Sequence, residues 1–195
     1  MMLNVPYITE QTKHGERMND IFSRLLADRI IMLSGEVNED TALLVTSQLL
    51  YLDSISHEPI TLYVNSVGGV CTDGLSIIDV MRHIASPVHT VSMGLSASMG
   101  AVILACGDKR FSLENSEIMV HQPLGGAWGQ CSDIQIQAES ILKMKVKLTK
   151  MLADNSLLTY EEMEKMCDRD CYLSAQEALE IGLIDSIIKP HKTKR

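Results

Sequence analysis

Three residues of the 195-residue chain stand where side chains could do chemistry together: Ser98, His121 and Asp170. Ser98 lies between two apolar runs, where a strand ends and a helix begins, with Gly94 and Gly100 on either side. A serine there exposes its hydroxyl beside free backbone N–H groups, which suits a nucleophile that attacks a carbonyl. Ser96-Ala97-Ser98-Met99-Gly100 is similar to a nucleophile elbow but lacks the first glycine of G-x-S-x-G. The same serine would equally suit a plain helix cap. His121 ends a strand-like run and precedes Gln122-Pro123-Leu124-Gly125-Gly126, so its imidazole can face a cleft and take a proton near neutral pH, or simply be a hydrogen-bonded structural residue. Asp170 lies in Cys167-Asp168-Arg169-Asp170-Cys171, read as a turn between two helices, from which a carboxylate can hold an imidazole in one tautomer. Asp168 is an equal rival by spacing. Gly68-Gly69 forms a second strand-to-helix turn whose backbone suits an oxyanion, a phosphate or only a tight bend. No Walker A sequence, HExxH or other metal-ligand spacing occurs, so neither nucleotide nor metal is implied.

The elements that must position these residues follow from periodicity. Met1 to Arg17 is polar and reads as an arm, and Asn19 to Asp28 as a helix. Ile30 to Leu33 reads as a strand ended by Gly35, and Asn38 as the cap of a helix to about Ser54 with Leu43, Leu44, Leu50 and Leu52 at helical spacing. Strands at Ile60–Val64, Val88–Met93 and Glu117–Val120 then alternate with helices at Thr72–Ile84 and Ser98–Cys106. Strand–turn–helix at this spacing predicts an α/β fold of right-handed βαβ units on a largely parallel sheet. A long helix from Asp133 to about Asn155, two short ones at Thr159–Cys167 and Ala175–Ile181, and a strand at Leu183–Ile188 complete the chain. Ser174 and Glu177 are spaced as a capping box, with Gly182 as the stop.

Composition narrows the class. An apolar fraction of 46% with 22% charged residues fits a soluble globular protein, and the lack of repeats or linkers favours one domain over residues 1–195. A net charge of −8 without a clustered basic face argues against nucleic acid; the one basic run, residues 189–195, reads as a solvated tail. Five cysteines without a Cys-x-x-Cys motif suggest reduced residues of a cytoplasmic protein, and no apolar stretch is long enough for a membrane span or signal peptide.

Taken together, these residues resemble the proteolytic subunit of the Clp protease, the ClpP family, over nearly the whole chain. The resemblance is carried by Glu10-Gln11-Thr12 with Gly15-Glu16-Arg17, Tyr63-Val64-Asn65-Ser66 leading into Gly68-Gly69, and Ala97-Ser98-Met99-Gly100-Ala101. It continues through Val120-His121-Gln122-Pro123-Leu124-Gly125-Gly126 and Arg169-Asp170 with Leu173-Ser174-Ala175. It implies a ClpP/crotonase-like fold with a protruding handle over residues 124–155 and an N-terminal axial arm over residues 1–18. It implies a serine endopeptidase with Ser98 as nucleophile, His121 as base and Asp170 as its orienting acid, and the N–H groups of Gly69 and Met99 as the oxyanion hole. Gly126, Ala127, Trp128 and Gly129 would lie beside the substrate strand. Thr61, Tyr63, His83, Phe111, Leu113 and Ile188 would dock an AAA+ unfoldase, and Asp168 and Arg169 would pair between two stacked heptameric rings. Unfolded proteins would be the substrates, with no cofactor.

The sequence also departs from the family pattern. Val67 stands where a proline is common, Gly94-Leu95-Ser96-Ala97 where Gly-Gln-Ala-Ala is common, and Thr61 and His83 where aromatics are typical. A crotonase-type acyl-CoA enzyme is similar in fold and oxyanion hole but does not need the three residues together. A non-catalytic ring subunit would not need them at all.

Overall fold

A computed structural model describes residues 5–12 and 15–190. The last part of the predicted basic tail, residues 191–195, and parts of the predicted arm lie outside the described residues. The arm is not irregular throughout: β1 (Tyr7–Thr12) and β2 (Gly15–Asp20) pair antiparallel. Burial alternates along β1, with Ile8 and Glu10 half-buried between exposed Tyr7, Thr9 and Gln11, but the residues are mostly polar on both faces, so no apolar strand period was visible in the sequence. Asp20 then caps α1 (Ile21–Ala27), accepting from the N–H groups of Phe22 and Ser23.

β3 (Ile30–Val37), α2 (Glu39–Ile55), β4 (Ile60–Gly69), α3 (Cys71–His83) and β5 (Val88–Ala97) form consecutive βαβ units, and all these strands pair parallel. Gly35 does not end β3. Its φ of 85° makes an irregularity, and the register to β4 shifts between Ser34 and Glu36 before pairing resumes. α2 starts where expected, with Asn38 and Thr41 capping each other. Its buried face is Ala42, Val45, Leu49 and Leu52, however, leaving Leu43, Leu44 and Leu50 exposed. Three of the four leucines named from spacing thus lie off the inner face, which Leu52 shares with Ala42, Val45 and Leu49.

α4 (Met99–Ala105) is buried along its whole length. β6 (Lys109–Leu113) and β7 (Glu117–Val120) both add parallel to β5, at its first and second halves. α5 (Cys131–Asp154) follows, buried only over its last turns, at Leu148, Thr149, Met151, Leu152 and Ala153. α6 (Tyr160–Met166), β8 (Cys171–Ser174), α7 (Ala175–Glu180) and β9 (Ser186–Ile188) close the described chain, with β8 antiparallel to β7 and β9 parallel to β6. The capping boxes at Thr159/Glu162 and Ser174/Glu177 are both present. The architecture is therefore the mixed α/β fold with a mostly parallel sheet that the strand–helix alternation predicts. No helix among the described residues is long and apolar enough to cross a membrane.

Candidate active site

Ser98 is the hinge between β5 and α4, and it takes φ 52° and ψ −120°. A non-glycine residue at positive φ is strained by about 1–3 kcal/mol and persists only where its surroundings enforce it. The enforcement is visible on each side. Its N–H donates to the Met119 carbonyl of β7 at 2.8 Å, and its own carbonyl accepts from Ala101 and Val102 at 3.0 and 3.2 Å. Gly68 packs against the turn so closely that an added Cβ would lie 2.6 Å from Ser98 Cβ and 2.9 Å from Met99 N. The bland reading of Ser98 as a helix cap does not hold, because its hydroxyl makes no capping bond. The hydroxyl instead lies 2.8 Å from His121 Nε2.

The first glycine missing from the elbow is replaced by a partnered hydroxyl. Ser96 is fully buried, with its Oγ 2.8 Å from Ser92 Oγ and 3.2 Å from the Val64 carbonyl. The second glycine sits in a tight place: a Cβ at Gly100 would lie 3.1 Å from the Ser66 carbonyl. Gly74 of α3 makes room for the Met99 side chain, since a Cβ there would fall 2.2 Å from Met99 Cγ. Ser66 donates to the Gly35 carbonyl and accepts from the Gly68 N–H at 3.1 Å, joining two strand irregularities to the Ser98 turn. Gly74, Ser66 and the contact made by Gly68 were not legible from the sequence, where only a Gly-Gly pair marked the place.

His121 follows the last residue of β7, and its Nδ1 lies 2.9 Å from Asp170 Oδ1. A carboxylate only accepts, so Nδ1–H donates to Asp170 and leaves Nε2 to accept from the Ser98 hydroxyl. The imidazole is largely buried, at 13% exposed, whereas the Asp170 side chain is 58% exposed. Asp168, the rival by spacing, turns away: its carboxylate faces Arg169 Nη1 at 3.7 Å, and its carbonyl accepts from Gln122 Nε2 at 2.9 Å. Serine, histidine and aspartate thus form one hydrogen-bonded row from a buried helix start to an exposed turn. Such a row can move a proton from a hydroxyl to an imidazole as the oxygen attacks an acyl carbon.

The other expected residues fall into groups. Gly69 ends β4 at φ 150°, and Met99 begins α4 beside Ser98. The Val70 N–H reaches the Val37 carbonyl at 2.8 Å. Residues 121–130 make no ladder with any described strand, and within them Trp128 is 92% exposed while Gly126 and Gly129 are also exposed. Tyr63, Val91 and Phe111 stand in one row across β4, β5 and β6, with Thr61 two residues before Tyr63. Leu113 and Ile188 pair between β6 and β9. His83 is outside the sheet, as the exposed last residue of α3. Arg169 is exposed and, among the described residues, pairs only with its neighbour Asp168.

An elbow serine, a histidine and an aspartate on a mostly parallel α/β sheet are an arrangement that can carry out acyl transfer. The family model of the Clp protease matches residues 13–191, nearly the whole chain. The chain belongs to that family and is a ClpP-type peptidase.

Proposed function

We propose that the chain is a serine endopeptidase whose nucleophile, base and orienting acid are Ser98, His121 and Asp170. The observation that carries the reading is the hydrogen-bonded row Ser98 Oγ–His121–Asp170, at 2.8 and 2.9 Å, in a chain of the Clp protease family. As Ser98 Oγ attacks the peptide carbonyl carbon, its proton passes to His121 Nε2, and Asp170 steadies the imidazolium that forms. The N–H groups of Gly69 and Met99 receive the oxyanion, each worth about 3 kcal/mol in the transition state. His121 then returns the proton to the departing amine, leaving an acyl-serine. Water, deprotonated by the same imidazole, releases the second product and restores Ser98.

The substrate strand lies along Gly126, Ala127, Trp128 and Gly129, whose backbone has no described sheet partner. The chain assembles into two stacked heptameric rings around a chamber, joined through the handle at residues 124–155. This would cover the apolar residues Ile134, Ile136, Leu142 and Val146 that α5 exposes in the single chain. Asp168 and Arg169 exchange their present local pair for partners across the rings. An AAA+ unfoldase docks on the sheet residues Thr61, Tyr63, Phe111, Leu113 and Ile188, together with His83, and feeds unfolded polypeptide.

Purified protein should cut short fluorogenic peptides unaided and leave a stably folded protein intact until a cognate unfoldase and ATP are added. Rapid digestion of the folded protein by the chain alone would contradict the enclosed chamber. Absence of peptide turnover by fully assembled particles would contradict the peptidase reading.

A further inference from the structure

We infer that Gln122 is a positioning residue for this reaction, holding the turn that carries Asp170 against His121; the inference rests on the serine-peptidase reading above. The β7–β8 ladder ends at the pair Val120 and Cys171, so His121 and Asp170 are the first residues beyond it on either strand. Besides the His121–Asp170 bond, what joins the two segments past that point is Gln122. Its backbone N–H donates to the Cys167 carbonyl at 2.7 Å, and its side-chain Nε2 donates to the Asp168 carbonyl at 2.9 Å. One residue therefore grips the segment 167–168 while its neighbour His121 receives the carboxylate of Asp170, which closes a small ring of contacts.

That grip matters because Asp170 has little else. Its carboxylate makes one protein hydrogen bond among the described residues, to His121, and its side chain is more than half exposed. Apart from that one bond, the place of the carboxylate is set by the backbone of the turn. The remaining supports are weak or exposed: the Asp168 N–H reaches the Lys165 carbonyl at 3.4 Å, and Arg169 reaches Asp168 from solvent at 83% exposure. Misplacing a catalytic group by about 1 Å costs up to about a hundredfold in rate. Loss of one neutral hydrogen bond that limits such drift should cost about tenfold, near the RT ln 10 of a single good bond.

Gln122→Met keeps the length and volume of the side chain but removes its donors, and Gln122→Ala checks the result with a smaller residue. Peptide turnover by the assembled full-length protein should show kcat lowered about tenfold by either change, with KM within twofold and melting temperature and particle size unaltered. Because Gln122 acts through Asp170, the same change made in an Asp170→Asn background should cost less than twofold more. A Gln122→Met protein with full kcat would overturn the inference, and so would equal losses in the two backgrounds or a loss that tracks dissociated particles. Full activity of Asp170→Asn alone would instead sink the reading beneath it, so the two failures are distinguishable.

Discussion

The two ends of the hydrogen-bonded row are built differently. At the Ser98 end every neighbour is fixed: Gly68 lies against the turn, α4 is buried throughout, and Ser66, Ser92 and Ser96 are all buried and hydrogen-bonded. At the Asp170 end the carboxylate is exposed, β8 has only four residues, and the turn hangs on Gln122 and a pair of exposed side chains. The difference teaches that the proposed nucleophile is pre-organised by the fold of a single chain, while the proposed orienting acid is held conditionally. A contact from outside the chain at Asp168 and Arg169 is therefore well placed to decide whether the row is complete.

The largest expected effect comes from breaking the rigid end. Gly68→Ala places a Cβ 2.6 Å from Ser98 Cβ and 2.8 Å from the Ala97 carbonyl, at a residue whose φ is 88°. The elbow must shift, and with it the nearby N–H groups proposed to receive the oxyanion, so kcat for peptides should fall by about 10²–10³-fold. Steady-state kinetics on protein of unchanged particle size would measure it, and a loss below about threefold would show that the turn tolerates movement.

A smaller loss should follow from breaking the conditional end. Arg169→Ala removes an exposed guanidinium that supports the Asp170 turn only weakly in the single chain. If it pairs across rings, the surviving partner charge is left uncompensated at an interface. Sedimentation velocity should then show single rings in place of double ones, with peptide turnover reduced about tenfold. A fully assembled and fully active Arg169→Ala protein would refute that coupling.

Acid sharpens the comparison most gently. The Thr159 backbone N–H and hydroxyl hold the Glu162 carboxylate below its usual range, and the Ser174 hydroxyl and N–H do the same for Glu177. A carboxyl depressed on folding stabilises above its ordinary value of about 4.3 and loses that contribution as pH falls through the folded value. Both caps belong to α6 and α7, which flank the Asp170 turn, whereas the Ser98 end is held by hydroxyls and backbone that do not titrate there. Between pH 5 and 3, hydrogen-exchange protection should therefore fall more over residues 159–180 than over 92–105. Equal loss in both segments would show that the two ends open together.

Much of this was legible in the sequence, and the exceptions share a cause. Asn38 and Ser174 were readable as caps because capping is local, whereas Thr159, which caps α6 in the same way, was read only as the start of a helix. Ser98 and His121 were readable because a serine after a strand and a histidine at a strand end are local features as well. Asp168 and Asp170 were not separable, since only the approach of β7 decides which carboxylate meets the imidazole. β4 runs on through Gly68 and Gly69, where the glycines suggested a turn, because β3 supplies pairing partners as far as Val37. β6 and β8 were missed because Lys109-Arg110-Phe111-Ser112-Leu113 and Cys171-Tyr172-Leu173-Ser174 mix polar with apolar residues, unlike the equally short apolar run of β7, and Gln122 because nothing in its type announces which carbonyls it will reach.

The central claim is that Ser98 is the nucleophile, and covalent labelling tests it most directly. The assembled protein should be treated with a fluorophosphonate and the adduct located by peptide mass spectrometry, alongside peptide turnover and a Ser98→Ala control. One adduct at Ser98, with turnover lost in step and no labelling or turnover in the control, is the predicted result. An adduct at Ser96 or Ser66, or undiminished turnover by Ser98→Ala, would contradict the account.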